Sequence, residues 1–184
     1  ADQCQTVAQD IADHDGYFLK SISANDQVEL RRVRPHIKFC DWCTEPVQTE
    51  ALLSQPSVHL VTITVTESGY YTDPNGDLDP AHPAIAAEIA GQPATTVYGY
   101  LRLALRARMQ SIAAPLTVAC CDNSRQNGKM LQRQLLADLT ACNDADLAAW
   151  VAENVAFPCS MVDRITPRSA PELAAEISAV VRGN

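Results

Sequence analysis

The sequence predicts an α/β fold in which helices flank a mostly parallel sheet. Val58–Val65 reads VHLVTITV, a continuous apolar and β-branched run typical of a parallel strand that is covered on both faces. Leu116–Cys121 and Val155–Thr166 supply two further extended segments. Helical patterns lie between and after these segments, and such an alternation is typical of a sheet built from crossover connections.

Two other kinds of structure are predicted before the first of these strands. Residues 2–13 carry apolar side chains at the spacing of an amphipathic helix, namely Cys4, Val7, Ala8 and Ile11. Tyr17–Ser23 and Val28–Arg34 are short β-rich runs around a polar turn, which is typical of a hairpin. A helix is then predicted over Pro46–Gln55.

The remaining helices are predicted near residues 84–90, 95–112 and 144–154, from Asn127 onward, and from Pro171 to Gly183. In the segment 95–112 one face is apolar, formed by Val97, Leu101, Leu105 and Met109. Arginines fall mostly elsewhere on this helix, at Arg102, Arg106 and Arg108. We expect these arginines to form a solvated face.

The length and composition of the chain limit the classes of protein to which it can belong. The chain has 184 residues, of which 47% are hydrophobic and 20% charged, which suits one globular domain or a piece of a larger chain. The formal net charge of -8 argues against nucleic acid and anionic membrane surfaces as partners. No apolar run approaches the length of a membrane span, and the first residues lack a signal core. These observations favour a cytoplasmic location without a membrane partner.

The seven cysteines are odd in number and irregularly spaced, so free, buried thiols are expected. His36, Cys40 and Cys43 form an H-x3-C-x2-C pattern, but no second pair follows to complete a tetrahedral zinc site. We therefore expect no metal, and a metal site at these three residues is the alternative.

Polar pairs end the three predicted strands, and they are Thr66-Glu67, Asp122-Asn123 and Asp163-Arg164. Parallel sheets bind ligands beyond the carboxyl ends of their strands, so these pairs are expected to line one crevice. Carboxylates, an amide and hydroxyls together suit a polyhydroxylated or ribose-bearing ligand. A Mg²⁺ site for phosphate chemistry stays open as a rival, although no glycine-rich phosphate loop accompanies the carboxylates.

Three stretches carry a family resemblance: TVTESGYY at Thr64–Tyr71, CCDNSRQNG at Cys120–Gly128 and FPCSMVDRITP at Phe157–Pro167. Together they resemble the mannitol dehydrogenase family, which is the polyol-specific group of long-chain dehydrogenases and reductases. The resemblance runs in order from near Asp2 to about Pro167 and looks closest to mannitol or D-arabinitol dehydrogenases. The V-D-R-I-T-P stretch is its most specific part.

This resemblance implies a Rossmann-like domain that binds NAD or NADP, and a reaction that passes hydride between a polyol and the nicotinamide to give a ketose. By the same resemblance, Asn123 helps form an oxyanion hole. Asp163 lines the crevice shared by cofactor and substrate, and Thr66 and Glu67 lie near the nicotinamide end of the cofactor. Arg164 is interpreted as structural.

Two family parts are expected outside this sequence: the glycine-rich start before Ala1, and the helical domain with the catalytic lysine after Asn184. Residues 1–184 are thus expected to be a partial NAD(P)-binding domain whose partners are a polyol or ketose and the missing helical domain. The chain alone is expected to be inactive. Two alternatives are a fragment of a hexuronate (fructuronate or tagaturonate) reductase and a truncated, non-catalytic protein with a residual α/β binding fold.

Overall fold

The computed structural model describes residues 9, 12–13, 16–23, 25–35, 38–42, 44–65, 67–161 and 172–182. The chain divides into two compact units. One unit comprises residues 1–44 with 165–184, and the other comprises residues 45–164. None of the described helices is both long and apolar enough to cross a bilayer.

The elements follow one another in an order that alternates strands with helices after an initial hairpin. They are β1 (Tyr17–Ile22), β2 (Val28–Val33), α1 (Pro46–Leu53), β3 (Leu60–Ile63), a 3-10 helix (Glu67–Tyr70), α2 (Pro83–Ile89), α3 (Val97–Ser111), β4 (Leu116–Cys120), α4 (Asn127–Ala141), α5 (Ala145–Asn154), β5 (Val155–Ala156) and α6 (Leu173–Arg182). These bounds confirm the predicted helices over 46–55, 84–90, 95–112 and 144–154, and those beginning near Asn127 and Pro171, to within a few residues.

The smaller unit contains the predicted hairpin, which is confirmed. Strands β1 and β2 are antiparallel, with a register that runs from Tyr17 opposite Val33 to Ile22 opposite Val28. A Cβ on Gly16 would lie 2.2 Å from the carbonyl oxygen of Val33, so only glycine permits this approach. Of the predicted amino-terminal helix, the structure describes three helical residues, Gln9, Ala12 and Asp13. The rest of that helix lies outside the described residues.

The larger unit contains the predicted parallel sheet, in the order β3-β4-β5. Its register pairs Leu60 with Thr117, Ile63 with Cys120 and Leu116 with Val155. The expectation that the first strand is covered on both faces is wrong, because Leu60 is 56% exposed. That strand forms one edge of the described sheet. The third strand is shorter than predicted, since residues 157–161 follow it without regular structure.

The core of this unit lies where α3 and α4 pack beside the central strand β4. Leu101 and Leu105 on α3, Leu131 and Leu135 on α4, and Val118 on β4 are fully buried. Burial of each such leucine stabilises the fold by roughly 1.5–3 kcal/mol. The apolar stripes read from the sequence are therefore the faces that hold the sheet and helices together.

The expectation of a solvated arginine face on α3 is wrong. Arg108 is fully buried, and its guanidinium donates hydrogen bonds to the carbonyl oxygens of Leu53, Gln55, Ala114 and Pro115. These carbonyls belong to the end of α1, the turn after it and the segment before β4, where backbone acceptors lack regular partners. The side chains of the other two, Arg102 and Arg106, are only 17% and 26% exposed. All three arginines bind other parts of the unit.

Candidate functional site

The carboxyl ends of β3 and β4 meet at one edge of the sheet. Ile63 lies opposite Cys120, and the ladder continues by one bond because the Cys121 amide donates to the Ile63 carbonyl oxygen at 2.7 Å. Thr64 follows immediately and is exposed. The residues after both strands therefore leave the sheet side by side, which confirms the predicted convergence of these two strand ends.

The loop after β4 is ordered by Asp122 and presents Asn123. One carboxylate oxygen of Asp122 accepts the backbone amide of Asn123 at 2.8 Å, and the other accepts the hydroxyl of Ser124 at 2.7 Å. Both oxygens are thus engaged by the loop itself. The Asn123 side chain is exposed and hydrogen-bonds to no described residue, so its amide is free to donate to a ligand.

A single buried amide, that of Asn127, ties this loop to the chain that follows β5. Its Nδ2 donates to the carbonyl oxygens of Cys120 at 3.1 Å and Asp122 at 2.7 Å, and to Ser160 Oγ at 3.0 Å. Its Oδ1 accepts the backbone amides of Gly128 at 2.8 Å and Ser160 at 3.0 Å. The Ser160 hydroxyl also donates to the Cys120 carbonyl oxygen. The segment after β5 is in this way held against the loop after β4, while the predicted third strand end, Asp163-Arg164, lies outside the described residues.

Gly128 permits that contact, because the start of α4 touches the backbone of the segment after β5. A Cβ on Gly128 would lie 2.3 Å from the Pro158 carbonyl oxygen and 2.6 Å from that of Phe157. Real Cβ atoms do not approach backbone oxygens so closely, so any larger residue would push the two segments apart. Asn127 and Gly128 thus act together at this junction.

The 3-10 helix after β3 is held in place by hydrogen bonds between Tyr70 and buried residues of the core. Tyr70, at its last position, is buried, and its hydroxyl lies 3.0 Å from Cys120 Sγ. The Tyr98 hydroxyl lies within hydrogen-bond distance of the Tyr70 carbonyl oxygen, 3.1 Å, and of Gln134 Oε1, 2.5 Å. Burial, followed by the contact with Cys120, raises the pKa of Tyr70, so the phenol stays protonated. The backbone of Glu67 begins this anchored helix.

Three of the six residues in the predicted strand-end pairs lie in the described part of the chain, namely Glu67, Asp122 and Asn123. Thr66, Asp163 and Arg164 lie outside the described residues. Sequence reasoning missed the polar side chains that hold the site together, which are Asn127, Ser160 and Tyr70. The Asn127-Gly128 pair was interpreted only as a helix start. The signal in the sequence is a glycine in the first turn of a helix, where it costs helix stability and is favoured when another backbone approaches closely.

The described residues contain no group of three His, Cys, Asp or Glu side chains arranged to hold a metal ion. His36 and Cys43 of the alternative zinc site lie outside the described residues. The five described cysteines are free, as expected: Cys40, Cys120, Cys121, Cys142 and Cys159. The expectation that they are buried holds for Cys120 but not for Cys159, which is exposed in the loop after β5.

An open concavity of about 470 Å³ lies at the opposite, amino-terminal edge of the sheet, lined by His59, Pro115 and Glu153 among others. Ligands of open α/β sheets bind at the carboxyl edge, because the loops that leave the strands there form the crevice. We therefore place the candidate site at the carboxyl edge, around Thr64 and Asn123.

Three parallel strands with flanking helices, and polar loops gathered at their carboxyl ends, define a Rossmann-type ligand-binding domain. Residues 1–181 match the family model of the mannitol dehydrogenase Rossmann domain. The chain therefore belongs to the mannitol dehydrogenase family, as the sequence resemblance implies.

Individual relatives agree with this assignment. The chain is 45% identical over 143 residues to a mannitol 2-dehydrogenase of Phaeosphaeria nodorum, covering 75% of this chain and 25% of that protein. It is 34% identical over 178 residues to a D-arabinitol 4-dehydrogenase of Ralstonia nicotianae, covering 97% and 38%. It superposes on the Pseudomonas fluorescens mannitol 2-dehydrogenase ternary complex with NAD and D-mannitol with a TM-score of 0.87 at 28% identity, covering 98% and 37%. The chain thus spans between a quarter and two fifths of the length of these relatives.

Proposed function

We propose that this chain is the cofactor-binding part of an NAD(P)-dependent polyol dehydrogenase. The reaction removes a hydride and a proton from a secondary alcohol of a sugar alcohol and gives a ketose. The observation that supports the proposal is that the carboxyl ends of β3 and β4 meet at one edge of a Rossmann domain of this family, beside the exposed side chain of Asn123. That edge is where such domains hold their ligands.

Asn123 is proposed to donate a hydrogen bond to the alcohol oxygen that becomes the ketone oxygen. Negative charge develops on this oxygen as its proton leaves, and a positioned amide donor stabilises that charge. The donor needs to be fixed before the reaction, and the Asp122 carboxylate fixes the Asn123 backbone through a 2.8 Å hydrogen bond. Asp163 is proposed to line the same crevice from the segment beyond Met161.

NAD(P), when bound, supplies the acceptor for the hydride. The described residues fit the nicotinamide end of such a cofactor, since the exposed Thr64 hydroxyl and Asn123 amide are neutral groups that hydrogen-bond to an amide or a ribose. Thr66 and Glu67 are proposed to lie beside that end. The anchored 3-10 helix supports this role, because Tyr70 holds it against β4.

The base that accepts the alcohol proton is proposed to be a lysine of a helical domain in the longer protein. This proposal rests on the family resemblance and on the coverage of the relatives, which is 38% or less for those compared. The sequence contains three lysines, Lys20, Lys38 and Lys129, and none of them stands in the motif of the family's catalytic lysine. The 184-residue chain by itself is therefore proposed to be inactive.

The test is a spectrophotometric assay of the full-length gene product with NAD and NADP in turn, and with mannitol and arabinitol as substrates. We expect polyol-dependent reduction of at least one of the two cofactors, with the ketose as product. Activity only in the reverse direction, with a fructuronate or tagaturonate and the reduced cofactor, would instead identify a hexuronate reductase. No turnover with any of these substrates would overturn the proposed dehydrogenase and leave the non-catalytic alternative.

A further inference from the structure

The five hydrogen bonds of the Asn127 amide join two segments that lie far apart in sequence. One segment is the loop that presents Asn123, and the other is residues 157–161, which lead toward Asp163. The amide reaches the first through the carbonyl oxygen of Asp122 at 2.7 Å and the second through both the backbone amide and the hydroxyl of Ser160 at 3.0 Å. Asn127 itself is fully buried.

We propose that Asn127 is a positioning residue of the proposed dehydrogenase site. Its side chain fixes the position of the Asn123 loop relative to the segment 157–161. The inference rests on the proposed function, since this relative position matters for catalysis only if both segments meet the substrate. Asn127 touches neither substrate nor cofactor in this role. It acts through Asn123 on one side and through the chain after Ser160 on the other.

Only a side-chain amide supplies both the donors and the acceptor that the backbone groups around Asn127 need. The Asn127 side chain uses donors on Nδ2 toward two carbonyl oxygens and an acceptor on Oδ1 toward two backbone amides. An aspartate would keep the acceptor but would place a buried negative charge beside the carbonyl oxygens of Cys120 and Asp122. An alanine would remove the side-chain partner of the Asp122 carbonyl oxygen and of the Gly128 and Ser160 amides, and unsatisfied buried polar groups are costly. The Cys120 carbonyl oxygen would keep its hydrogen bond from the Ser160 hydroxyl.

The position of the junction argues for a role beyond folding. The apolar face of α4 packs in the core through Leu131 and Leu135, which lie further along the helix than Asn127. The amide instead binds residues at the carboxyl edge, and Asp122 immediately precedes the proposed oxyanion donor. A shift of about 1 Å in such a donor lowers a rate on the order of 100-fold, because the hydrogen bond to the reacting oxygen is then misdirected.

The kinetic test uses the full-length protein with Asn127→Ala and the milder Ser160→Ala, which removes one hydroxyl and keeps the Ser160 backbone amide. We expect kcat for polyol oxidation to fall at least about tenfold in Asn127→Ala and less in Ser160→Ala, with the KM for the cofactor within about threefold. Asn154→Ala is the control. It removes another side-chain amide of the same unit, at the opposite edge of the sheet, where Nδ2 donates to the Trp150 carbonyl oxygen at 3.0 Å.

A double-mutant cycle separates positioning from general destabilisation. Because Asn127 acts in part through Asn123, Asn127→Ala should lower kcat by a smaller factor in an Asn123→Ala background than in the wild type. Effects of the two substitutions that multiply would overturn the inference. A loss of kcat in Asn154→Ala as large as that in Asn127→Ala would also overturn it, since the loss of an amide far from the site would then suffice.

Hydrogen exchange provides a readout that needs no turnover. Asn127→Ala is expected to accelerate exchange in the peptides covering 120–126 and 157–161 together, while Asn154→Ala accelerates neither. Acceleration in only one of the two peptides would refute the coupling. An inactive wild-type protein would refute the proposed function and the catalytic role inferred for Asn127, and the exchange data would distinguish that case from a failure of the junction itself.

Discussion

Arg102 on α3 and Asp138 on α4 form a buried ion pair in which the guanidinium Nε lies 3.6 Å from a carboxylate oxygen. Asp138 is fully buried, and neither of its carboxylate oxygens accepts a hydrogen bond from a described residue. Arg102 also faces the buried Glu88, at 3.9 Å, and donates to Cys142 Sγ at 2.8 Å. Two buried carboxylates therefore share one guanidinium, which leaves Asp138 poorly compensated.

The first prediction concerns the pH dependence of stability. Burial raises the pKa of Asp138 from 3.8 to about 6, with Arg102 opposing and Glu88 adding to the shift. Because the folded pKa is the higher one, Asp138 contributes stability at low pH that is lost as pH rises through about 6. Asp138→Asn should therefore gain stability relative to the wild type between pH 4 and pH 6, by up to about 3 kcal/mol. Urea unfolding of both proteins across this range measures the difference.

Asp146→Asn is the control, because the pKa of Asp146 is shifted downward, opposite to that of Asp138. A hydrogen bond from Arg106 lowers the pKa of Asp146, so its contribution to stability is present above its unfolded pKa and is lost as pH falls. This substitution should leave the pH dependence near pH 6 unchanged. If the stability curve of Asp138→Asn runs parallel to that of the wild type, Asp138 does not titrate as the structure implies.

The second prediction concerns Arg108. Arg108→Lys keeps the charge but presents fewer donors, so some of the four carbonyl oxygens lose their partner in the core. We expect a loss of roughly 2–4 kcal/mol in the free energy of unfolding. Arg106→Lys is the control on the same helix, because Arg106 binds carboxylates rather than backbone carbonyl oxygens, those of Asp144 and the exposed Asp146, and a lysine can still pair with them. Its loss should stay below about 1 kcal/mol. Equal denaturant midpoints for the two variants would contradict the anchoring role of Arg108.

The third prediction concerns Gly99, in the first turn of α3. Glycine to alanine in a helix ordinarily stabilises by about 1 kcal/mol. Here the new Cβ would lie 2.2 Å from Glu88 Oε2, whose carboxylate accepts the backbone amides of Thr95 and Thr96 at the start of the helix. Gly99→Ala should therefore destabilise by roughly 1–3 kcal/mol. Thermal unfolding of the variant checks the sign, and a raised melting temperature would show that Glu88 moves aside freely.

Much of the fold could be predicted from the sequence because the signals are local. The apolar stripe containing Leu101 and Leu105, and the β-branched run in β3, each need only a few neighbouring residues to be recognised. The error on Arg108 has a different origin. Its carbonyl partners lie up to 55 residues away in sequence, and no helical period reveals a contact at that separation.

In the candidate site too, residues with a local sequence signal could be predicted, and residues held by contacts distant in sequence could not. Asn123 was predicted from its place after a strand and from a motif, which are local features. Ser160 and Asn127 are 33 residues apart, so their contact depends on the parallel register of β4 and β5. Polar pairs formed by the fold leave no periodic pattern, and this is why the residues that hold the site were missed.

The final prediction tests Asn123 itself. Its side chain is exposed, so Asn123→Ala should leave the free energy of unfolding within about 0.5 kcal/mol of the wild type. In the full-length protein the same substitution should lower kcat on the order of 100-fold to 1,000-fold, because one donor to the developing oxyanion is lost. Asn123→Asp should lower it further, since a carboxylate repels negative charge at the reacting oxygen. Asn25→Ala, in the exposed turn of the hairpin, is the control and should change neither quantity. Steady-state kinetics with saturating cofactor measures the effect. A kcat for Asn123→Ala within about twofold of the wild type would show that Asn123 does not stabilise the reacting oxygen.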